Sequence, residues 1–189
     1  MARGVGLIAE DDSDVFVAEI LIRKIARKNF KTKQFVGRGC GKIVAKCRSW
    51  ATALRQRGCS LLIVLHDLDQ RQEPILRASL VDALNPCPIA HHVIVIPIRE
   101  LEAWLLADHE AINRAMKLAR PLNQIADPQG VPRPKERLRD LIYSRSDHTT
   151  TYVNTIHNTR IAEQLSVARI RARCTSFGPF EQFVSRHLR

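Results

Sequence analysis

The chain has 189 residues, 45% of them apolar, and a formal net charge of +11. That apolar share supports a packed core and excludes wholesale disorder, and the length suits one domain with a small appendage. The basic surplus points to a polyanionic partner, because neutralising phosphates releases their counterions; an arginine-rich chain can also be basic without such a role.

Five cysteines, Cys40, Cys47, Cys59, Cys87 and Cys174, form no C-x-x-C pair. An odd number without a signal-peptide pattern reads as reduced cytoplasmic thiols, mostly core filler. No apolar run reaches the roughly 18 residues that a membrane span needs, so no membrane partner is expected.

Val5–Ala9 is a short apolar strand that runs into Glu10-Asp-Asp-Ser-Asp14. Apolar residues at helical spacing follow over Val15–Ala26, with Ser13 or Asp12 as N-cap. Asp11, Asp12 and Asp14 read as acids at a positive helix end. Glu10 precedes the position where a cap is needed and is the stronger site candidate.

Lys33–Val36 is a weak second strand. Gly37-Arg-Gly-Cys-Gly-Lys42 then opens a helix whose inner face is Ile43, Cys47, Trp50 and Leu54. The turn fails the P-loop spacing; it reads equally as a phosphate-touching turn or a plain glycine turn.

Leu61–Leu65 is an unbroken apolar run, the pattern of a strand buried on both faces of a parallel sheet. His66 follows, pointing to the other face as a supporting or core group, and then Asp67 and Asp69. Residues i and i+2 of an extended segment point the same way, so both carboxylates should aim at one point above the sheet edge, where open α/β sheets bind ligands. Two carboxylates sharing a site repel each other unless one is protonated or a cation sits between them. Mg²⁺, or Mn²⁺, suits an all-oxygen set.

A helix is expected over Gln72–Leu84, with Ile75, Leu76, Ser79, Leu80 and Ala83 inward. His92–Ile96 is a fourth strand, with His91 and His92 at its far end as surface residues. Ile98–Asp108 reads as one helix with Glu102 above the same sheet edge and Glu100 solvated. The alternation of strand and helix gives an α/β fold: a mainly parallel four-stranded sheet flanked by helices over residues 1–119. Residues 120–189 read as a small C-terminal helical extension packed on it. Its helices are expected from Pro134 to Tyr143, over Arg160–Ala168 and over Phe180–Leu188, joined by Arg169–Phe177.

Glu10 after the first strand, Asp67-Leu-Asp69 after the third and the β/α frame resemble the Toprim domain of topoisomerases, primases and OLD-family nucleases. The closer likeness is to small stand-alone Toprim-related proteins of bacterial defence islands. It rests on Glu10–Asp14, Asp67–Asp69, Ile98–Asp108, Pro134-Lys135 and Cys174–Phe183, and its most specific part is Glu102-Ala-Trp-Leu-Leu-Ala-Asp108. The chain departs from it at Asp11, where glycine is usual. The resemblance implies a Toprim-like, Rossmann-like fold and Mg²⁺-dependent cleavage of nucleic acid, DNA ahead of RNA, in phage defence or DNA processing. Glu10, Asp67 and Asp69 would be catalytic; with Glu102 they would hold metal. Arg38, Lys42 and Lys135 would hold the backbone, and an ATPase would be a partner.

Three other readings compete. The same fold could bind nucleic acid or a partner protein without cutting. A receiver-type phosphoacceptor also carries acids after strands one and three, but it needs a Lys-Pro after a strand, and the exit here is Ile96-Pro-Ile-Arg99. A phosphatase using Asp-x-Asp as nucleophile and acid would want Thr or Val after the second Asp, where Gln70-Arg71 stands.

Overall fold

The computed structural model describes residues 4–188, apart from the side chain of Cys40. In chain order come β1 (Gly4–Ala9), α1 (Asp12–Ala26), β2 (Thr32–Val36), α2 (Cys40–Gln56), β3 (Cys59–Leu65), α3 (Glu73–Leu84) and β4 (His91–Val95). The strands form one parallel sheet in the order β2-β1-β3-β4. Then follow α4 (Glu102–Leu106), α5 (His109–Met116), α6 (Pro134–Arg145), α7 (Asn154–Gln164), α8 (Val167–Arg173), a 3₁₀ turn (Thr175–Phe177) and α9 (Gly178–Leu188).

Strand alternation divides the core in two. Val5, Leu7 and Ala9 of β1 face the same layer as Leu61, Ile63 and Leu65 of β3. Ile8, Leu62 and Val64 face the other, where α2 and α3 lie. The second layer is regular: α2 contributes Ile43, Cys47, Ala51 and Leu54, and α3 contributes Leu76, Leu80 and Leu84. Ile75, expected inward, is 62% exposed, because Leu76, Leu80 and Leu84 repeat every four residues and leave Ile75 on the outer face. Gly6 permits the close approach of α2: a Cβ there would meet the Leu54 side chain at 3.0 Å.

The first layer is deeper. Helix α1 buries Val15, Val17, Ala18, Ile20, Leu21, Ile22, Ile25 and Ala26, which surround most of its circumference. A helix apolar on so many sides must be covered on both. The sheet covers one side, and α7 and α9 cover the other. Leu138, Ile142, Ile161, Phe177, Phe180, Val184 and Leu188 belong to the same hydrophobic cluster as β1 and β3. Trp104 is wholly buried there, edge-on to Phe177 with ring centroids 5.1 Å apart, and its Nε1 donates to Ser176 Oγ at 3.0 Å.

Three boundaries differ from the sequence reading. The expected helix Ile98–Asp108 is broken: Arg99 has φ 65°, and α4 begins only at Glu102. Asp108 then caps a separate α5. Helix α7 starts at Asn154 and ends at Gln164, six residues ahead of the expected Arg160 start, and much of the supposed connection Arg169–Phe177 is helical in α8 and the 3₁₀ turn. Cys47, Cys59 and Cys174 are buried free thiols and Cys87 is partly buried; the Cys40 side chain lies outside the described set. Among the described residues no helix is long and apolar enough to cross a membrane.

Candidate active site at the carboxyl edge of the sheet

Because the strands are parallel, the ends of β1, β3 and β4 open on one edge. Glu10 follows β1 directly, and Asp67 lies two residues past β3. Backbone pairing continues beyond the strands: His66 N donates to Val95 O at 3.1 Å, Leu68 N to Pro97 O at 3.0 Å and Asp69 N to Arg99 O at 2.8 Å. The extension ends in two facing left-handed residues, Asp69 at φ 52° and Arg99 at φ 65°. The simple i, i+2 alternation expected for Asp67 and Asp69 is therefore lost at Asp69. Both side chains nonetheless reach one cavity.

That cavity has a volume of about 260 Å³, and Glu10, Asp67, Asp69, Glu102, Arg38 and Lys135 line it. Six of the seven residues singled out in the sequence thus meet there. Lys42 does not: it is an exposed residue of α2 outside the lining. Asp11, Asp14, Gly39 and Glu100 complete the wall.

Each carboxylate has a physical anchor. Glu10 Oε1 accepts from the Asp67 amide at 3.1 Å and lies 2.6 Å from His66 Nδ1. The same Nδ1 is 2.8 Å from Asp67 O. Two oxygen neighbours require Nδ1 to carry the proton, so His66, fully buried, presents its N–H to Glu10. Asp67 Oδ1 accepts from Leu101 N at 2.9 Å, which joins β3 to the start of α4. Glu102, 3% exposed, accepts from Asn158 Nδ2 at 3.0 Å, and Tyr152 OH donates to Asn158 Oδ1.

Capping explains the first acidic cluster. Asp11, rather than Ser13 or Asp12, is the N-cap: Oδ1 accepts from Ser13 N at 2.9 Å, and Asp14 Oδ2 accepts from Asp11 N at 3.0 Å. This is a reciprocal capping box with Asp in place of Glu. Asp14 does more than cap, because it is buried on the cavity wall. Glu100, expected in solvent, accepts from Lys135 N at 2.6 Å and so fastens the start of α6 to the site.

Crowding shows in the electrostatics. Burial, and then the Glu102 charge, pushes Asp14 up to about 8. Burial and the charges of Asp14, Glu102, Glu10 and Asp69 hold Asp67 well above the usual carboxylate range. Burial also raises Glu102 and Asp69, the latter with help from Glu10. An all-oxygen, mutually repelling set of this kind is relieved by a hard divalent cation. As the side chains stand, however, no three His, Cys, Asp or Glu among the described residues are grouped to hold a metal ion: Glu10 and Asp67 each spend an oxygen on a backbone amide.

Asp14, Glu100, Asn158 and Tyr152 were not singled out from the sequence. Asp14 carried a signal, an acid three residues after a cap, but one that capping alone accounts for. Asn158 had none, since it reaches Glu102 from 56 positions away.

Residues 9–185 match the family described as Domain of unknown function (DUF4276), and the chain belongs to that family. No curated protein and no solved structure matches the chain.

Proposed function

We propose that this protein is a Toprim-type, Mg²⁺- or Mn²⁺-dependent nuclease. The observation that carries the reading is the convergence of Glu10, Asp67, Asp69 and Glu102, from three separate strand ends, on one cavity with Arg38 and Lys135 beside them. Asp67, Asp69 and Glu102 would hold the cation, with Glu10 beside them. Bound there, it would acidify water and polarise a phosphoryl oxygen.

The chain's own groups supply the rest. The Nδ1–H of His66 and the Asp67 amide fix Glu10 Oε1, leaving Oε2 to take the proton of an attacking water. The water oxygen forms a bond to phosphorus, the ester bond to the leaving sugar oxygen breaks, and the proton passes to that oxygen. Arg38 and Lys135 position the phosphate. The Toprim resemblance extends the proposal to DNA processing or phage defence in the cytoplasm, beside an ATPase partner.

The test is nicking of plasmid DNA. Wild type cuts with Mg²⁺ or Mn²⁺, and Asp67→Ala lowers the rate at least about a hundredfold, since losing a mere outer-shell partner of a metal ligand already costs about 10–100-fold. A second reading, a binding module that does not cut, is favoured by the absence of a ready metal-ligating trio among the described residues. Equal inertness of wild type and Asp67→Ala toward DNA and RNA with both metals decides for it.

A further inference from the structure

Beside the carboxylate cavity lies a second, larger groove of about 480 Å³. The two share Asp69 and Glu100 as a common wall, so they adjoin. The first is acidic. The second is lined by Arg71, Arg99 and Arg133, whose guanidiniums do not line the carboxylate cavity.

We propose that this groove binds backbone phosphates of a polynucleotide next to the linkage held at the carboxylates. The inference rests on the reading of the first cavity as a phosphodiester site, and it names the class of substrate: a strand with phosphates on more than one nucleotide, rather than a lone phosphoester.

Three observations support it. Among the described residues, Arg99 makes one side-chain hydrogen bond, from Nη1 to Asp69 O at 3.3 Å. The contact of Arg71 is equally slight, Nη1 to His66 Nε2 at 3.5 Å. Both guanidiniums thus keep most of their donors for an anion, and a planar fork of donors matches a phosphate. Second, two of the three acids on the same wall are already engaged: Glu136 pairs with Arg133 at 3.1 Å, which leaves Arg71 and Arg99 as the available cations, and Glu100 accepts from Lys135 N; the third, Asp69, belongs to both cavities. Third, Arg99 holds a left-handed backbone that a long side chain rarely adopts. Its carbonyl is tied to Asp69 N at 2.8 Å, which fixes the backbone from which the guanidinium reaches Asp69 O.

The experiment measures binding of a short fluorescent oligonucleotide to the Asp67→Asn protein at rising salt. Arg71→Ala with Arg99→Asn is added, asparagine being chosen because it tolerates the left-handed backbone. The expected result is an affinity loss of about tenfold or more and a salt slope shallower by roughly 1.5, the counterion release of two phosphate contacts. Affinity and slope matching those of the parent overturn the proposal. Should the double variant fail to fold by circular dichroism, Arg71→Ala alone, in an exposed irregular segment, is expected to give about half the slope change.

Two further arms separate the alternatives. With Asp67 retained as in wild type, kcat/KM for the oligonucleotide should fall at least about tenfold more than that for bis(p-nitrophenyl) phosphate when the arginines are removed; equal losses overturn the groove. Inorganic tripolyphosphate competing as well as the oligonucleotide overturns the polynucleotide assignment. If wild type cleaves neither substrate, the catalytic reading falls, while the salt slope still decides the groove.

Discussion

Asp14 shows what the site costs the fold. Its carboxyl is raised from an ordinary 3.8 to about 8 by burial and by Glu102. The folded chain therefore keeps a proton that the unfolded chain has already released. Stability contributed by that proton is present at acid pH and is lost as pH climbs from about 4 toward 8. In EDTA, Asp14→Asn should gain on wild type between pH 5 and pH 8 by roughly 1 kcal/mol or more. Urea denaturation at the two pH values measures it, and a constant difference contradicts it. Asn158 is the opposite case. Its amide satisfies the buried Glu102, so Asn158→Ala should destabilise by about 1–3 kcal/mol. Adding Mg²⁺ should raise the melting temperature of wild type by a few degrees, as ligand binding to the native state requires, and should leave Asp67→Ala unmoved.

At the scale of elements, the joints matter more than the helices. Asp108 is fully buried at the break between α4 and α5. It accepts from Ala111 N at 3.1 Å, from Ser166 N at 2.9 Å and from Arg169 Nη1 at 2.8 Å. Burial opposes its ionisation, yet the two amides and the guanidinium together hold it below the usual carboxylate range. Its stabilisation is present above the unfolded value and is lost as pH falls through the folded one. Asp108→Ala should cost about 2–3 kcal/mol, since it leaves the Ala111 and Ser166 amides without their acceptor, while Arg169 keeps Glu110; a loss below about 1 kcal/mol in denaturant titration would show that α5 is held by packing alone. The same joint marks where sequence reading stops. Apolar runs and their period made β1, β3, β4, α2 and the inner rows legible, and parallel strands ending in acids gave most of the site. The break at Arg99 was hidden because Ile98, Leu101 and Leu105 keep helical spacing across it. What overrides them is Asp67 Oδ1, which takes the Leu101 amide, a contact set by tertiary structure. The α7 boundary was missed for a related reason: Asn154, Thr155 and Thr159 are poor helix formers, and α7 is held by α1 and α5.

Over the whole molecule, residues 1–119 do not close a core. The far side of α1 is covered by α7 and α9, and Ile161, Phe180, Val184 and Leu188 lie in the same cluster as Val5, Leu7 and Ile63. A chain ending at residue 119 should lack a cooperative thermal transition; a sharp transition by circular dichroism would show instead that the sheet layer stands alone. Charge is uneven at this scale too: a chain of net +11 concentrates Glu10, Asp11, Asp14, Asp67, Asp69, Glu100 and Glu102 around one cavity. On the proposed function, oligonucleotide binding should accordingly weaken steeply with salt, since the basic exterior rather than the acidic hollow would draw a polyanion in.

The Asn158-to-Glu102 hydrogen bond has a temporal meaning. Glu10, Asp67, Asp69 and Glu102 are all translated well before Asn158, which α7 carries. A chain grown only as far as Leu122 owns every acid of the hollow but not the partner that sets Glu102, so the hollow takes its final form only once α7 has been made.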